Sequence, residues 1–289
     1  MTTAGVIGWG LIGGSMAKAI KKAGHTVYGY NRTTSVIGRA LSEGVADAYL
    51  TKENAADCDF LIVALMPDVT VSLIRQFAPY LKKGCIVVDC TGIKSAINIA
   101  LSGELARQGL FFVGGHPMAG KEVAGYENSE AELFANASMI LCRDGFTDEE
   151  AYGKAEAFFR GIGFPRIKET TPEEHDRVIA YTSQMAHVVS NAYIKNSVLP
   201  ERYGFSAGSF KDLTRVAKLD ENMWTDLFFA NREALLSRIE EFMGHMEEYR
   251  KALSERDEDR MRELLREGRI LKENDEENEK AAFEKMSGS

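Results

Sequence analysis

The stretch that most constrains the fold of this 289-residue chain lies near its start, at residues 4–32. A short apolar run there predicts a buried strand, and apolar residues at helical spacing after it predict a helix. A second strand is predicted at Thr26–Tyr30. Between the first strand and the helix, Gly8, Gly10 and Gly13 form the pattern GxGxxG. Strand, glycines, helix and strand in this order predict a dinucleotide-binding unit.

Each glycine has a physical function in such a unit. Gly8 allows the tight turn, Gly10 lets the backbone approach a pyrophosphate, and Gly13 lets the helix pack close to the sheet. The pyrophosphate is expected on the free N–H groups at the helix start, beside Leu11 and Ile12. The alternative is a tight strand-to-helix turn with nothing bound, and the order of the elements favours the ligand.

The residues after the second strand bear on the choice of cofactor. Asn31 stands where an acidic residue would bind the ribose hydroxyls of NAD. Arg32 is placed to pair with a 2′-phosphate, helped by the hydroxyls of Thr33, Thr34 and Ser35. NADP is therefore the favoured cofactor. NAD is the alternative, because Asn31 can also hydrogen-bond a hydroxyl and Arg32 can belong to an ordinary solvated loop.

Further apolar runs follow at intervals typical of a buried sheet. They lie at Phe60–Leu65, Cys85–Cys90, Phe111–Val113 and Ser138–Cys142. Because helical segments such as 69–81 separate them, they predict parallel strands covered on both faces. The fold class is α/β, with a doubly wound Rossmann-type parallel sheet in a domain at 1–168, followed by an all-helical domain at 169–289.

The second domain shows helical patterns and no strand-like run. Thr171 is the expected N-cap of a long helix toward Val198, with Glu174 closing a capping box. Further helices are expected from about Phe210, Glu221 and Glu255. The last part contains an apolar stripe made of Met246, Tyr249, Leu253, Met261, Leu264 and Leu265. The stripe predicts either the buried face of a solvated helical hairpin or a homodimer seam.

Ligands of doubly wound sheets bind outside the carboxyl ends of the strands. Residues 65–67, 89–94 and 114–122 should converge there. The cofactor contacts expected from the first of these segments are Leu65, Met66 and Pro67. His116, on a predicted loop between Gly115 and Pro117, is the candidate base, because neutral imidazole accepts a hydroxyl proton near pH 7. The alternative is a histidine that only makes structural hydrogen bonds.

Three motifs carry a resemblance to a known family. Residues 8–15 (GWGLIGGS), 116–122 (HPMAGKE) and 210–217 (FKDLTRVA), with Trp224, resemble the prephenate/arogenate dehydrogenases of tyrosine biosynthesis. The resemblance extends from Gly5 to about residue 248. It implies oxidative decarboxylation of a cyclohexadienol: hydride leaves C4 for NAD(P)+, the C4 hydroxyl becomes a carbonyl, and CO2 departs from C1.

The resemblance also assigns roles to individual residues. His116 matches the histidine that hydrogen-bonds the C4 hydroxyl, and Arg215 matches the arginine that binds a substrate carboxylate. Asp212 matches an acid near that arginine and lies three residues before it, where it could orient the guanidinium. Glu122 matches a gating or ion-pairing glutamate. Trp224 matches a pocket aromatic, with simple core packing as its alternative.

The chain departs from the family at two places. His187 matches the second histidine of a family SHLPH stretch, but Gln184 and Ala186 replace the first histidine and the proline, so His187 either binds substrate or only packs a helix. Gly92 occupies the position of a family serine whose hydroxyl contacts the histidine and the substrate. Thr91 is the candidate to supply that hydroxyl, with a water molecule as the alternative.

The resulting hypothesis is a prephenate dehydrogenase that produces 4-hydroxyphenylpyruvate. Arogenate dehydrogenase is the nearest alternative, since no residue separates the two substrates. A 3-hydroxyacid or imine reductase is a second alternative, although Lys195 lies far along the helix where such enzymes place a lysine. A non-catalytic NAD(P)-binding regulator is the third, kept open by Gly92 and Gln184.

Composition excludes several other classes. The net charge of −8 and the lack of a basic block argue against nucleic acid as a partner. No apolar run reaches the roughly 18 residues of a membrane helix, and the N-terminus shows no basic leader, so we expect a cytoplasmic protein. The four cysteines form no CxxC pair, and no metal site is expected. No regulatory amino-acid-binding domain is expected either, so the partners are a small-molecule substrate and a second copy of the chain.

Overall fold

The computed structural model describes the backbone of residues 1–287 and the side chains of residues 1–281. It begins with the predicted dinucleotide unit, which consists of β1 (Thr3–Ile7), α1 (Leu11–Lys22) and β2 (Thr26–Tyr30). β1 and β2 pair in parallel along their whole length. The predicted order of strand, glycine loop, helix and strand is confirmed.

One sheet contains all the described strands. Those after β2 are β3 (Ala48–Tyr49), β4 (Phe60–Val63), β5 (Ile86–Asp89), β6 (Phe111–Pro117), β7 (Ser138–Cys142) and β8 (Arg166–Thr170). The spatial order is β3-β2-β1-β4-β5-β6-β7-β8. The chain therefore winds outward from β1 in both directions, which is the doubly wound topology, and the crevice for a dinucleotide lies where the direction reverses, between β1 and β4.

The far edge of the sheet differs from the prediction. β7 runs antiparallel to β6, with His116 opposite Ile140, so β7 and β8 run against the six preceding strands. Pairing with β7 also extends β6 beyond Val113 to Pro117. The predicted loop position of His116 is thus wrong, because this residue lies within a strand. β3 and β8 lie at the edges of the sheet, where partial exposure weakens the apolar signal that would have predicted them.

Both faces of the sheet are covered, as the apolar runs predict. Val6 and Ile7 point to opposite sides of β1, and both are fully buried. Val6 belongs to one apolar cluster with Ile62, while Ile7 belongs to the other with Val63. The central strands are therefore buried on both sides and fixed in position. Their carboxyl ends form a rigid edge of the sheet.

Helices cover the sheet and make up all regular structure described after β8. Within the sheet domain they are α2 (Thr34–Ser42), α3 (Pro67–Phe77), α4 (Ser95–Arg107) and α5 (Glu149–Gly161). After β8 they are α6 (Pro172–Ile179), α7 (Ala186–Tyr193), α8 (Gly208–Thr214), α9 (Glu221–Ala230), α10 (Arg232–Glu255) and α11 (Glu258–Ser287). The helical character of this part is as predicted.

The helix ends differ from the prediction in detail. A π-helical turn at Ala180–Met185 joins α6 to α7, and the helix ends at Tyr193 rather than near Val198. The Thr171 side chain accepts from the Glu174 backbone N–H, as predicted for an N-cap. The Glu174 carboxylate does not close the capping box, because it accepts from the Thr170 hydroxyl at 2.7 Å.

The chain divides into two compact units, residues 1–235 and 236–289. In the second unit Leu264 is buried, whereas Met246, Leu253 and Leu265 are exposed. The predicted domain boundary between residues 168 and 169 stays a prediction. Ser289, the predicted end of the second domain, lies outside the described residues. None of the described helices has the length and apolar character needed to cross a membrane.

Candidate active site

The glycine loop has the geometry that a bound pyrophosphate requires. Gly8 has φ +87°, and a Cβ at Gly13 would lie 1.8 Å from the carbonyl oxygen of Gly8. Neither position therefore tolerates a side chain. A Cβ at Gly10 would meet no described atom within 4 Å, so open space lies beside this residue. Among the described side chains none caps the start of α1, and its first turn contains no acid. The residues present fit a dinucleotide.

The residues after β2 divide into a structural and an exposed group. Asn31 Oδ1 accepts from the Trp9 N–H at 3.0 Å, and Asn31 Nδ2 donates to the Thr33 carbonyl at 3.1 Å. Its side chain therefore ties the glycine loop to β2. Arg32 and Thr33 are exposed, and no described side chain caps the start of α2 at Thr34. An arginine thus stands next to a free helix N-terminus, and both attract anions.

The segment after β4 borders the same loop. Pro67 is the first residue of α3 and Met66 is its N-cap. A Cβ at Gly8 would lie 2.6 Å from Leu65, so the Leu65 side chain packs directly on the glycine turn. This places the predicted cofactor contacts Leu65, Met66 and Pro67 beside the carboxyl end of β1.

His116 lies at one end of a hydrogen-bonded series of three side chains. Its Nδ1 lies 2.9 Å from Nε2 of His175, and Nδ1 of His175 lies 2.7 Å from Oδ1 of Asp176. His175 and Asp176 are buried and His116 is half-buried. The carboxylate of Asp176 in turn accepts the backbone N–H groups of Lys94 and Ser95, each at 2.8 Å, and so caps α4.

These contacts fix which ring nitrogen of His116 is free. A carboxylate only accepts, so His175 Nδ1 carries a hydrogen and its Nε2 has a lone pair. His116 must then donate from Nδ1, which leaves Nε2 unprotonated. A Cβ built at Gly92 would lie 3.9 Å from this Nε2, so the free nitrogen faces Gly92. The tautomers follow from the hydrogen-bond network.

Burial keeps both imidazoles neutral. Desolvation, helped by His175 and Lys94, holds the pKa of His116 well below its ordinary value, against the opposing effect of Asp176. Desolvation also lowers the pKa of His175, although its hydrogen bond to Asp176 acts in the other direction. Burial alone would raise the pKa of Asp176, but hydrogen bonds from His175 and Ser95 outweigh it and the pKa is lowered. The arrangement is an ionised acid behind two neutral rings.

Thr91 is not placed as the sequence suggested. Its hydroxyl lies 2.5 Å from Oδ2 of Asp89 and 2.7 Å from the carbonyl oxygen of Ile93. It also accepts from Lys94 Nζ at 3.1 Å. With one hydrogen and these three neighbours, the buried hydroxyl is fully engaged. We therefore do not retain Thr91 as the hydroxyl that contacts His116 or substrate.

Arg215 is paired with Glu122 rather than with Asp212. Its Nη1 lies 3.1 Å from Oε1 of Glu122, and both side chains are about two-thirds exposed, at 66% and 72%. Among the described ion pairs none joins Arg215 to Asp212, which is exposed on α8. The predicted orienting role of Asp212 is therefore wrong for this conformation. Arg215 directly follows α8, and Glu122 belongs to the loop that follows His116 in β6.

His187 on α7 and Trp224 on α9 are in ring-to-ring contact. The two rings lie 3.9 Å apart between centroids, at 49°. His187 Nδ1 donates to the carbonyl of Val216 at 3.3 Å, which links α7 to the residue after Arg215. Burial lowers the pKa of His187, so Nε2 is a neutral acceptor. Leu227, one turn after Trp224 on α9, would contact a Cβ at Gly92 at 3.6 Å. Helix α9 therefore spans from His187 to the free nitrogen of His116.

Comparison with known families identifies the family of this chain. The nucleotide-binding domain of prephenate dehydrogenase matches residues 16–167, and the prephenate dehydrogenase dimerization domain matches residues 171–267. The chain belongs to the prephenate dehydrogenase family.

Individual relatives agree over most of the chain. It is 33% identical to the cyclohexadienyl dehydrogenase of Zymomonas mobilis, over 91% of this chain and 92% of that protein. It is 31% identical to the prephenate dehydrogenase of Lactococcus lactis, over 93% of this chain and 76% of that protein. The structure of A. aeolicus prephenate dehydrogenase with hydroxyphenyl propionate and NAD+ superposes with a TM-score of 0.84 at 27% identity, covering 94% of this chain and 97% of that one.

The departures from the family pattern now have structural explanations. Gln184, in place of a histidine, is buried and donates to the carbonyl of Leu227 at 3.2 Å. Asn231 donates to Gln184 and to the backbone carbonyl of Asp176, both at 2.8 Å. Gln184 therefore links the π-helical turn before α7 to α9 beside the candidate site. At Gly92 a side chain would make only ordinary contacts, so the missing serine leaves space beside His116.

Sequence reasoning missed His175, Asp176 and Lys94. The only local signal is a histidine–aspartate pair one turn into a predicted helix, which by itself is unremarkable. Their role depends on α6 packing against the start of α4.

Proposed function

We propose that this chain oxidises and decarboxylates prephenate to 4-hydroxyphenylpyruvate, with NADP+ as the favoured cofactor. The observation that carries the proposal is the unprotonated Nε2 of His116, held by His175 and Asp176 and facing Gly92. The family, whose matching domain is described as nucleotide-binding, supplies the reaction class.

His116 moves the proton in this mechanism. When bound, the dinucleotide accepts the hydride from C4 of the substrate. His116 Nε2 takes the C4 hydroxyl proton as the oxygen becomes a carbonyl. The C1–carboxylate bond then breaks, CO2 leaves, and its electron pair completes the aromatic ring. The phenolate oxygen recovers the proton from His116, so the residue returns to its starting state.

The acid–histidine–histidine chain assists without net proton transfer. Positive charge that develops on His116 is stabilised through His175 by the carboxylate of Asp176. This arrangement keeps the ring in one orientation and one tautomer, as the acid of a catalytic triad does. Leu227 beside Gly92 adds an apolar wall that excludes water from the reacting hydroxyl.

Arg215 is the proposed partner of the substrate side-chain carboxylate, since its fork can make two parallel hydrogen bonds. Arogenate is the second candidate substrate, because the Glu122 carboxylate lies 3.1 Å from the same guanidinium. An acid and a cation side by side fit the ammonium and carboxylate of an amino acid. His187 and Trp224 are proposed to contact the substrate between Arg215 and His116.

The test is a spectrophotometric assay with prephenate and arogenate, each with NAD+ and NADP+. We expect turnover of prephenate with the higher kcat/KM. A higher value for arogenate would support the second candidate. Nucleotide binding without turnover of either cyclohexadienol would contradict an enzymatic function and leave a regulator.

Coenzyme preference depends on the proposed 2′-phosphate site at Arg32. Removing the guanidinium in Arg32→Ala should lower kcat/KM with NADP+ about tenfold and leave NAD+ unchanged, because an exposed charge-assisted hydrogen bond contributes about 1.5 kcal/mol. Asn31→Asp should shift the preference in the same direction, since the new carboxylate repels the phosphate. It still accepts from the Trp9 N–H and loses only the bond that Nδ2 donates to the Thr33 carbonyl. Steady-state kinetics with both coenzymes measures the ratio.

The matched control is Arg160→Ala, which removes an exposed arginine that pairs with Glu156 on α5. It should leave the coenzyme ratio unchanged. Equal loss with NAD+ and NADP+ in Arg32→Ala would place the 2′-phosphate contacts elsewhere.

We also propose that two copies associate through α10 and α11. The matching family domain is described as a dimerization domain, and Leu253, Leu265 and Leu271 of these helices are largely exposed. Light scattering on the purified chain should give twice the monomer mass.

A further inference from the structure

A buried ion pair lies behind the candidate base and has no part in the proton path. The side chains of Lys94 and Asp89 are both fully buried and in direct contact. Lys94 Nζ also donates to the carbonyl of Gly115 at 2.6 Å and to the Thr91 hydroxyl at 3.1 Å. All three ammonium hydrogens therefore have acceptors.

The ion pair binds both backbone polar groups of Gly115, the residue directly before His116. Gly115 donates its N–H to Oδ1 of Asp89 at 3.2 Å, and its carbonyl accepts from Lys94. A side chain at Gly115 would come within 2.6 Å of the Asp89 carbonyl oxygen, so this approach requires glycine. These two side-chain bonds add to the backbone pairing of β6 with β5 and β7, and they act on the residue directly before His116.

Lys94 also reaches the rear of the histidine chain. Its backbone N–H donates to Oδ1 of Asp176 at 2.8 Å, the same oxygen that His175 contacts. One residue thus contacts the strand beside His116 through its side chain and the terminal carboxylate through its backbone. Burying an ion pair carries a desolvation penalty, and an apolar pair often gives equal stability. The bonds to Gly115 and Asp176 are what distinguish this pair from a merely stabilising one.

We propose that Lys94 and Asp89 are positioning residues for His116, which fix the strand at Gly115 and anchor Asp176 so that the free Nε2 keeps one direction. The inference rests on the proposed function of His116 as proton acceptor. The charged and titratable groups around the ring are His175 and Asp176 from α6, Asp89 from β5 and Lys94 at the start of α4. The Lys94 charge lowers the pKa of both histidines.

The experiment compares Lys94→Met with the double variant Asp89→Asn/Lys94→Met. The single variant leaves a buried carboxylate without its partner and is expected to unfold more easily. The double variant removes both charges and leaves no unpaired buried charge, so we expect it to stay folded under the conditions of the test. Lys82→Met is the matched control, because Lys82 pairs with Asp59 on the surface at 2.6 Å.

Two measurements are made on each folded variant. The first is an NMR pH titration of the assigned His116 and His175 ring resonances, which does not depend on turnover. We expect the His116 midpoint to move to higher pH in the double variant and to stay in place in the control. The second is the pH profile of kcat and KM, where we expect kcat to fall about tenfold, KM to change less than about twofold, and the acid limb to move with the midpoint.

The outcomes separate this inference from the proposed function. A shifted His116 midpoint in the double variant, combined with a wild-type chain that turns over neither cyclohexadienol, would contradict the proposed function and still support the positioning pair. Normal turnover with unmoved midpoints and unchanged kcat in the double variant would overturn the positioning pair. A lower melting temperature with those values unchanged would also overturn it, because it would show a purely structural role.

Discussion

His116→Asn should lose about 10²–10⁴-fold in kcat, the usual contribution of a positioned general base. Asparagine can still hydrogen-bond His175, but it cannot take the hydroxyl proton from C4. KM should change little, since the substrate carboxylate is bound elsewhere. Steady-state kinetics with prephenate measures the effect.

The pH dependence gives the same prediction a second readout. Because the pKa of His116 lies well below its ordinary value, the wild-type kcat/KM should hold as pH falls through 6.5. It should decline only when the lowered pKa is reached and the ring gains its proton. In His116→Asn this acid limb should be missing from the residual activity.

His25→Asn is the matched control for the histidine substitution. His25 Nδ1 accepts from the Thr2 N–H at 3.3 Å and its ring contacts Phe158, away from the site. Its kcat and pH profile should equal those of the wild type. An unchanged kcat in His116→Asn would remove His116 from the role of base.

The sequence could predict the parts of the site that local patterns determine. Gly8 and Gly13 leave no room for a Cβ, whereas Gly10 borders the open space where the sequence predicts a pyrophosphate. Parallel strands alone predict that residues 65–67 and His116 lie toward the carboxyl ends of their strands, and they do so in the structure. Local patterns do not predict the extension of β6 through His116, because its cause is antiparallel pairing with β7, a contact between segments that are distant in the sequence.

Local sequence patterns do not predict the residues that support His116 either, because these contacts also join distant segments. His116 and His175 are separated by 59 positions in the sequence, and nothing in that stretch signals that their rings meet. Thr91 is a candidate for the missing hydroxyl because it neighbours Gly92, but its hydroxyl is hydrogen-bonded to the buried charged groups of Asp89 and Lys94. Buried polar groups are nearly always hydrogen-bonded within the protein, and only the packed structure shows which groups are bonded to each other.

Arg215→Ala should lower kcat/KM for prephenate about 10- to 100-fold, mainly through a higher KM. Hydrogen bonds to a charged group contribute about 1.5–3 kcal/mol, and the exposure of this guanidinium places the effect at the lower end. The side-chain carboxylate of prephenate does not react, so its binding energy to Arg215 is the same in the ground state and the transition state. We therefore expect kcat to stay unchanged. Initial-rate kinetics at varied prephenate separates the two constants.

Two further variants test why the arginine matters. Arg215→Lys should recover only part of the loss, because an ammonium keeps the charge but lacks the fork. Glu122→Gln should lower KM for prephenate, since it frees the guanidinium from its 3.1 Å partner, and should raise KM for arogenate by removing the acid that would meet the ammonium. Lys218→Ala, which removes an exposed cation three residues further along, is the control and should change neither KM. Equal KM values for wild type and Arg215→Ala would show that another cation holds the carboxylate, and a selective loss with arogenate in Glu122→Gln would identify the acid that reads the side chain.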